Sequence, residues 1–166
     1  MNQTTPMTGY SRTQIALHWC IAALIVAQFL LHDPIVAAWE ARSDGLEPAF
    51  TPLVAAHVFG GITILALACW RLVIRARRGV PPLPEKEHAL LKGAPHVTHW
   101  SLYALMIALP VTGMATWFGG STLADTIHTT LKFPLLLLFA LHALAALFQH
   151  FVLKNGLMRR MTRAQP

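Results

Sequence analysis

The chain alternates four long apolar stretches with short polar connections. Each stretch reaches the roughly 20 residues that an α-helix needs to cross the hydrocarbon core of a bilayer. They fall near residues 14–31, 53–74, 98–118 and 128–153, and use most of the 166 residues. The pattern therefore predicts one domain over residues 1–166: an all-α, integral membrane four-helix bundle. The 32–52 connection is long enough to fold over the bundle mouth, with a short interfacial helix at Ala37–Trp39. Prolines forbid regular helix at the start of 79–95, and Pro95 suits the first turn of the third span. The 119–127 connection is short, so spans three and four are antiparallel neighbours. Pro110 and Gly113 interrupt the third span and predict a kink.

Composition agrees with this pattern. Hydrophobic residues make up 55% of the chain and charged ones 12%, whereas a soluble domain carries about 25% charge. Basic residues cluster on alternate connections: Arg12 before the first span, Arg71, Arg75, Arg77, Arg78, Lys86 and Lys92 around the second connection, and Lys154, Arg159, Arg160 and Arg163 after the last. The other two connections set Arg42 against Asp33, Glu40, Asp44, Glu47 and Asp125. The positive-inside rule then places both termini in the cytoplasm. The net charge of +6 is a topology signal and gives no reason to expect a nucleic-acid partner. Cys20 and Cys69 fall inside spans, where a thiol reads as a small packing residue, and they define no disulfide framework.

Nine histidines change the picture, because ionisable residues inside a membrane are costly and point to function. His128 and His142 lie 14 residues apart on the last span, almost four whole turns. Both imidazoles therefore share one face, about 21 Å apart along the axis. Depth pairs the rest. His18 and His142 both belong to the cytoplasmic half, while His57 and His128 both lie near the outer surface. Each pair suits one iron held from opposite faces, giving two six-coordinate haems at two membrane depths. Small residues leave room for a porphyrin: Gly60 and Gly61 after His57, Ala145 and Ala146 after His142, and Ala22 after His18. Contact between helices through small residues is the alternative explanation.

The remaining candidates carry less. His32 reads as an interfacial or loop residue and His88 as solvated. His96 and His99 open the third span on one face, with a structural or supporting role favoured and a quinone contact as the minority option. His150 and its neighbour Gln149 sit near the inner end of the last span, where His150 suits a quinone head group or an interfacial position. Arg12, Arg71 and Arg75 anchor helix ends and are placed to neutralise haem propionates. Lys132, one turn past His128, suits a propionate partner or a guide for an anionic donor. Zinc is the rival chemistry, but it wants four close ligands. Here the histidines split into distant pairs, with no HExxH pattern, nucleophile motif or phosphate loop.

These features resemble the bacterial cytochrome b561 family over essentially the whole chain. The resemblance rests on YSRTQIALHW opening the first span, AAHVFGGI opening the second and RLVIR closing it. It continues with GAPHVTHWSLY and ALPVTGM in the third span, and IHTTL and ALHALAA in the fourth. It implies electron transfer through two b-type haems in the bacterial inner membrane, with His18, His57, His128 and His142 as axial ligands. Members similar to superoxide oxidase pass an electron from periplasmic superoxide to ubiquinone. Such a member has two adjacent histidines near the inner end of its last span, where this chain has Gln149 and His150. Related cytochromes serve dehydrogenases as quinone-reducing subunits, so the fold leaves the donor open. The leading expectation is a superoxide:ubiquinone oxidoreductase. The alternative is a membrane anchor and relay for a periplasmic dehydrogenase, and a haem-free sensor or transporter leaves the matched depths unexplained.

Overall fold

A computed structural model describes residues 9–81 and 89–164, and the described residues form helices and turns with no strand. α1 spans Arg12–Leu30, α2 His32–Ser43, α3 Pro52–Arg78, α4 Ala89–Trp117 and α5 Thr122–Phe148. A π-helical turn, Gln149–Leu153, and a short α6, Leu157–Arg160, complete the chain. Four candidate membrane spans result: Arg12–Leu30, Pro52–Arg78, Pro95–Trp117 and Thr122–Leu153.

The helix starts follow from their capping residues. Ser11 accepts a hydrogen bond from the Gln14 amide at 3.3 Å, while Gln14 Oε1 accepts from the Ser11 amide at 3.0 Å. This reciprocal box satisfies two donors that the first turn would otherwise leave bare. Thr51 caps α3 through Val54 N at 3.3 Å, with Pro52 preset at the first helical position. Ser121 caps α5 through Ala124 N at 3.2 Å. Each such cap contributes about 1 kcal/mol.

Several boundaries differ from the expectations. The Ser121 cap starts α5 at Thr122, so the 119–127 stretch is mostly helix and His128 sits well inside it. The outer connection forms a 12-residue helix, α2, rather than a few residues around Ala37–Trp39. α4 begins at Ala89, so Pro95 lies inside the helix while opening its candidate membrane span. Cys20 and Cys69 are free and lie on the outside of the bundle, so they face lipid and do not pack in the core. His88 and Lys86 fall outside the described residues.

Backbone packing runs α1 on α3, α3 on α4 and α4 on α5. α1 and α5 are not among the closely packed pairs, which leaves room between them for side chains. The core is a column of Ile21 and Ile25 from α1, Ile64 and Ala68 from α3, Leu102, Tyr103, Met106 and Leu109 from α4, and Leu135 from α5. Spacings of three and four residues put each set on one helix face. Most of the remaining apolar side chains point outward, including Phe133, Leu137, Leu144 and Phe148 on α5. Such a surface is stable only against hydrocarbon. The Trp19 indole donates to the Met161 carbonyl at 2.8 Å, and the Gln14 carboxamide reaches the Gly79 carbonyl at 3.5 Å. The start of α1, the end of α3 and the segment around Met161 therefore lie at one end of the bundle, the proximal end. At the distal end Arg42 of α2 donates to the Trp117 carbonyl at 2.7 Å, tying α2 across the bundle mouth.

Candidate functional site

Two groups of histidines occupy the bundle at different levels. At the proximal level His18 on α1 and His142 on α5 are in ring contact, with centroids 6.1 Å apart and planes at 72°. A metal bonded to an imidazole nitrogen at about 2 Å lies about 3.2 Å from the ring centre, so two rings sharing it stand roughly 6.4 Å apart. The observed spacing fits one metal atom between them. His99 on α4 is also in edge contact with His142, at 5.2 Å. The His99 Nδ1 sits 2.6 Å from the Pro95 carbonyl; a carbonyl only accepts, so Nδ1 carries the proton and Nε2 is left with its lone pair. Arg71 is close enough to act electrostatically on His18, His99 and His142. The Arg75 guanidinium lies over the Trp100 ring at 5.8 Å, which gives that residue a packing role at the helix end.

At the distal level His57 and His128 line a cavity of about 670 Å³, together with Ile64, Met106, Gly61 and Gly113. Cofactor pockets range over roughly 300–1,000 Å³. The cavity floor is mainly aliphatic, and α2 roofs it with Ile35, Val36 and Trp39. The His128 Nδ1 donates to the Leu109 carbonyl at 2.8 Å, with Thr112 Oγ1 at 3.3 Å. That bond fixes the tautomer and presents Nε2 as a lone-pair donor, the usual arrangement of a metal-ligating histidine. Gly113 makes the arrangement possible, since a Cβ there would stand 3.0 Å from His128 Cε1. The His57 Nδ1, by contrast, is buried without a partner. The donor chemistry suits haem iron: paired imidazoles at one level, and a walled apolar cavity with a tautomer-fixed imidazole at the other. Among the described residues no three His, Cys, Asp or Glu side chains are grouped to hold a bare metal ion.

Lys132 Nζ donates to His32 Nε2 at 2.7 Å, and His32 Nδ1 lies 3.4 Å from Asp33 Oδ1. Both Lys132 and His32 line the distal cavity, and His32 opens α2, so it does not lie in a loop. Arg12 is exposed at the start of α1. Gln149 is half-buried at the first position of the π-helical turn, while His150 is exposed with its ring against Phe151 at 4.7 Å. His96 packs on Trp100 at 6.2 Å. Gly61 meets open space beside the cavity, but the space beside Gly60 is filled by the Gln28 carboxamide. Gln28 was passed over in the sequence, although a carboxamide inside a span is itself a signal.

Comparison with known proteins supplies the family. A family model described as prokaryotic cytochrome b561 matches residues 9–164. A cytochrome b562 from Cereibacter sphaeroides is 34% identical over 163 residues, covering 96% of this chain and 98% of that protein. A protein named probable superoxide oxidase CybB from Yersinia pestis is 34% identical over 176 residues, covering 92% and 94%. Cytochrome b561 homolog 1 of Escherichia coli (strain K12) is 30% identical over 181 residues, covering 95% and 99%.

Proposed function

The chain belongs to the prokaryotic cytochrome b561 family of membrane electron-transfer proteins, and from that premise we propose that it is a di-haem oxidoreductase of the inner membrane, taking electrons from periplasmic superoxide and delivering them to ubiquinone. One observation carries the reading: a single bundle holds His18 against His142 at one level, and His57 and His128 around one cavity at another. Haem, when bound, supplies a one-electron iron couple, and the protein supplies ligands, orientation and a dry surrounding. His18 and His142 would hold one group between α1 and α5, and His57 and His128 the other between α3 and α5. Arg71 places a positive charge beside the proximal pair, where propionates need neutralising. The domain is one unit over residues 1–166, with both termini cytoplasmic, so the distal cavity faces the periplasm.

At that face Lys132 bears a cation held by His32, and an anionic donor meets it at the cavity wall. The other ring nitrogen of His32, Nδ1, lies 3.4 Å from Asp33 Oδ1. At the cytoplasmic end His99, Gln149 and His150 offer hydrogen bonds to a quinone head group. Redox titration of the purified protein should give two bis-imidazole haems per chain. Pulse radiolysis should then show rapid haem reduction by superoxide and reoxidation by ubiquinone; a protein with one haem, or a high-spin spectrum, defeats the reading.

A second reading rests on Glu40, Asp44 and Asp125, which line the same distal cavity and oppose an anion. It makes the chain a relay subunit that accepts electrons from a periplasmic dehydrogenase. Two haems without superoxide-dependent reduction would favour it.

A further inference from the structure

The two distal histidines are not held alike. His128 rests its Nδ1–H on the Leu109 carbonyl, whereas the buried His57 Nδ1 makes no hydrogen bond of comparable geometry, although the Gln28 main-chain carbonyl acts on the ring. One other buried side-chain atom among the described residues shares that condition, the Gln28 Nε2. The two orphans belong together. Gln28 and His57 line the same cavity, and the His57 ring lies against the main-chain carbonyl of Gln28. The Gln28 carboxamide also fills the space where Gly60 has no side chain. Gly60 follows His57 by three residues, one turn away on the same face of α3. Leaving a buried polar atom unpaired is unfavourable, and here two such atoms belong to residues that line one cavity.

A half-turn about the terminal carboxamide bond exchanges Nε2 for Oε1 without moving the rest of the side chain. The outcome depends on which atom faces the imidazole. An amide N–H there would demand a lone pair on Nδ1 and put the proton on Nε2, blocking ligation from the cavity side. An amide oxygen accepts Nδ1–H and leaves the Nε2 lone pair facing the cavity. We propose that Gln28 is the positioning residue for His57, its carboxamide oxygen doing for the distal ligand on α3 what the Leu109 carbonyl does for His128. Gly60 is then the residue whose missing side chain admits the carboxamide. This assignment rests on the di-haem reading.

The test uses full-length purified protein and the wild type as reference. Gln28→Leu removes the acceptor at similar volume, and Gly60→Ala drives the carboxamide away while leaving it present. Both should raise the distal haem's midpoint potential and change its ferric g-values, with the proximal haem unmoved. Removing such a supporting partner typically weakens metal affinity about tenfold or more, and each tenfold by which the ferric state loses more than the ferrous raises a one-electron potential by about 59 mV. Gln28→Glu, nearly isosteric and still an acceptor, should return the distal g-values toward the wild type, which added charge alone does not accomplish. Unchanged distal g-values in both Gln28→Leu and Gly60→Ala overturn the proposal and leave the main-chain carbonyl as the support. Shifts of equal size at both haems overturn it too. A wild type lacking two bis-imidazole haems instead defeats the di-haem reading itself.

Discussion

His18 and His142 meet across the gap between α1 and α5 with their ring planes at 72°. Two imidazoles this close to perpendicular, sharing one iron, split the metal's d orbitals weakly and give a highly anisotropic low-spin signal. Ferric protein should therefore show a large-g resonance for the proximal site. His142→Ala should abolish it and lose that haem, while the distal haem stays titratable. Loss of both signals together would mean that the pairs are not independent.

Gly113 is a direct test of the distal level. A Cβ there would stand 3.0 Å from His128 Cε1 and 3.2 Å from Nδ1, so the ring must tilt off the Leu109 carbonyl. Gly113→Ala should weaken distal haem retention by about 10–100-fold, as when a supporting hydrogen bond is lost. Haem content measured by the pyridine haemochrome assay checks it, with circular dichroism confirming an unchanged bundle.

Lys132 sets the charge at the distal wall through its 2.7 Å bond to His32. Focusing by charge in a low-dielectric cleft raises association rates by roughly 10–10³-fold, and one cation belongs at the low end. Lys132→Gln should slow reduction by an anionic donor about tenfold at low salt. The effect should shrink as salt rises and be absent with a neutral donor, as stopped-flow reduction would reveal.

Arg42 ties the roof helix to the end of α4 through the Trp117 carbonyl. The side chain is exposed, so its loss should cost the protein less than about 1 kcal/mol. Arg42→Ala should nevertheless speed hydrogen exchange across α2 while the spans keep their protection. Equal protection in α2 before and after would show that packing alone holds the roof.

The one-dimensional pattern was enough to give four spans, because a helix that meets lipid must be apolar over a fixed length. It also supplied the expectation that His18 pairs with His142 and His57 with His128, because α-helical rise converts residue number into membrane depth; the fold brings the first two rings into contact and sets the other two around one cavity. Local chemistry moved the boundaries: the Ser121 cap begins α5 at Thr122, well before His128. What depth cannot express is which groups meet sideways. That His32 holds Lys132, that Leu109 fixes the His128 tautomer, and that Gln28 occupies the space beside Gly60 all depend on contacts between residues far apart in the chain. Such contacts follow from how helices rotate and cross when their side chains pack. Periodicity along one helix says which face is available, and only the assembled bundle decides what that face touches.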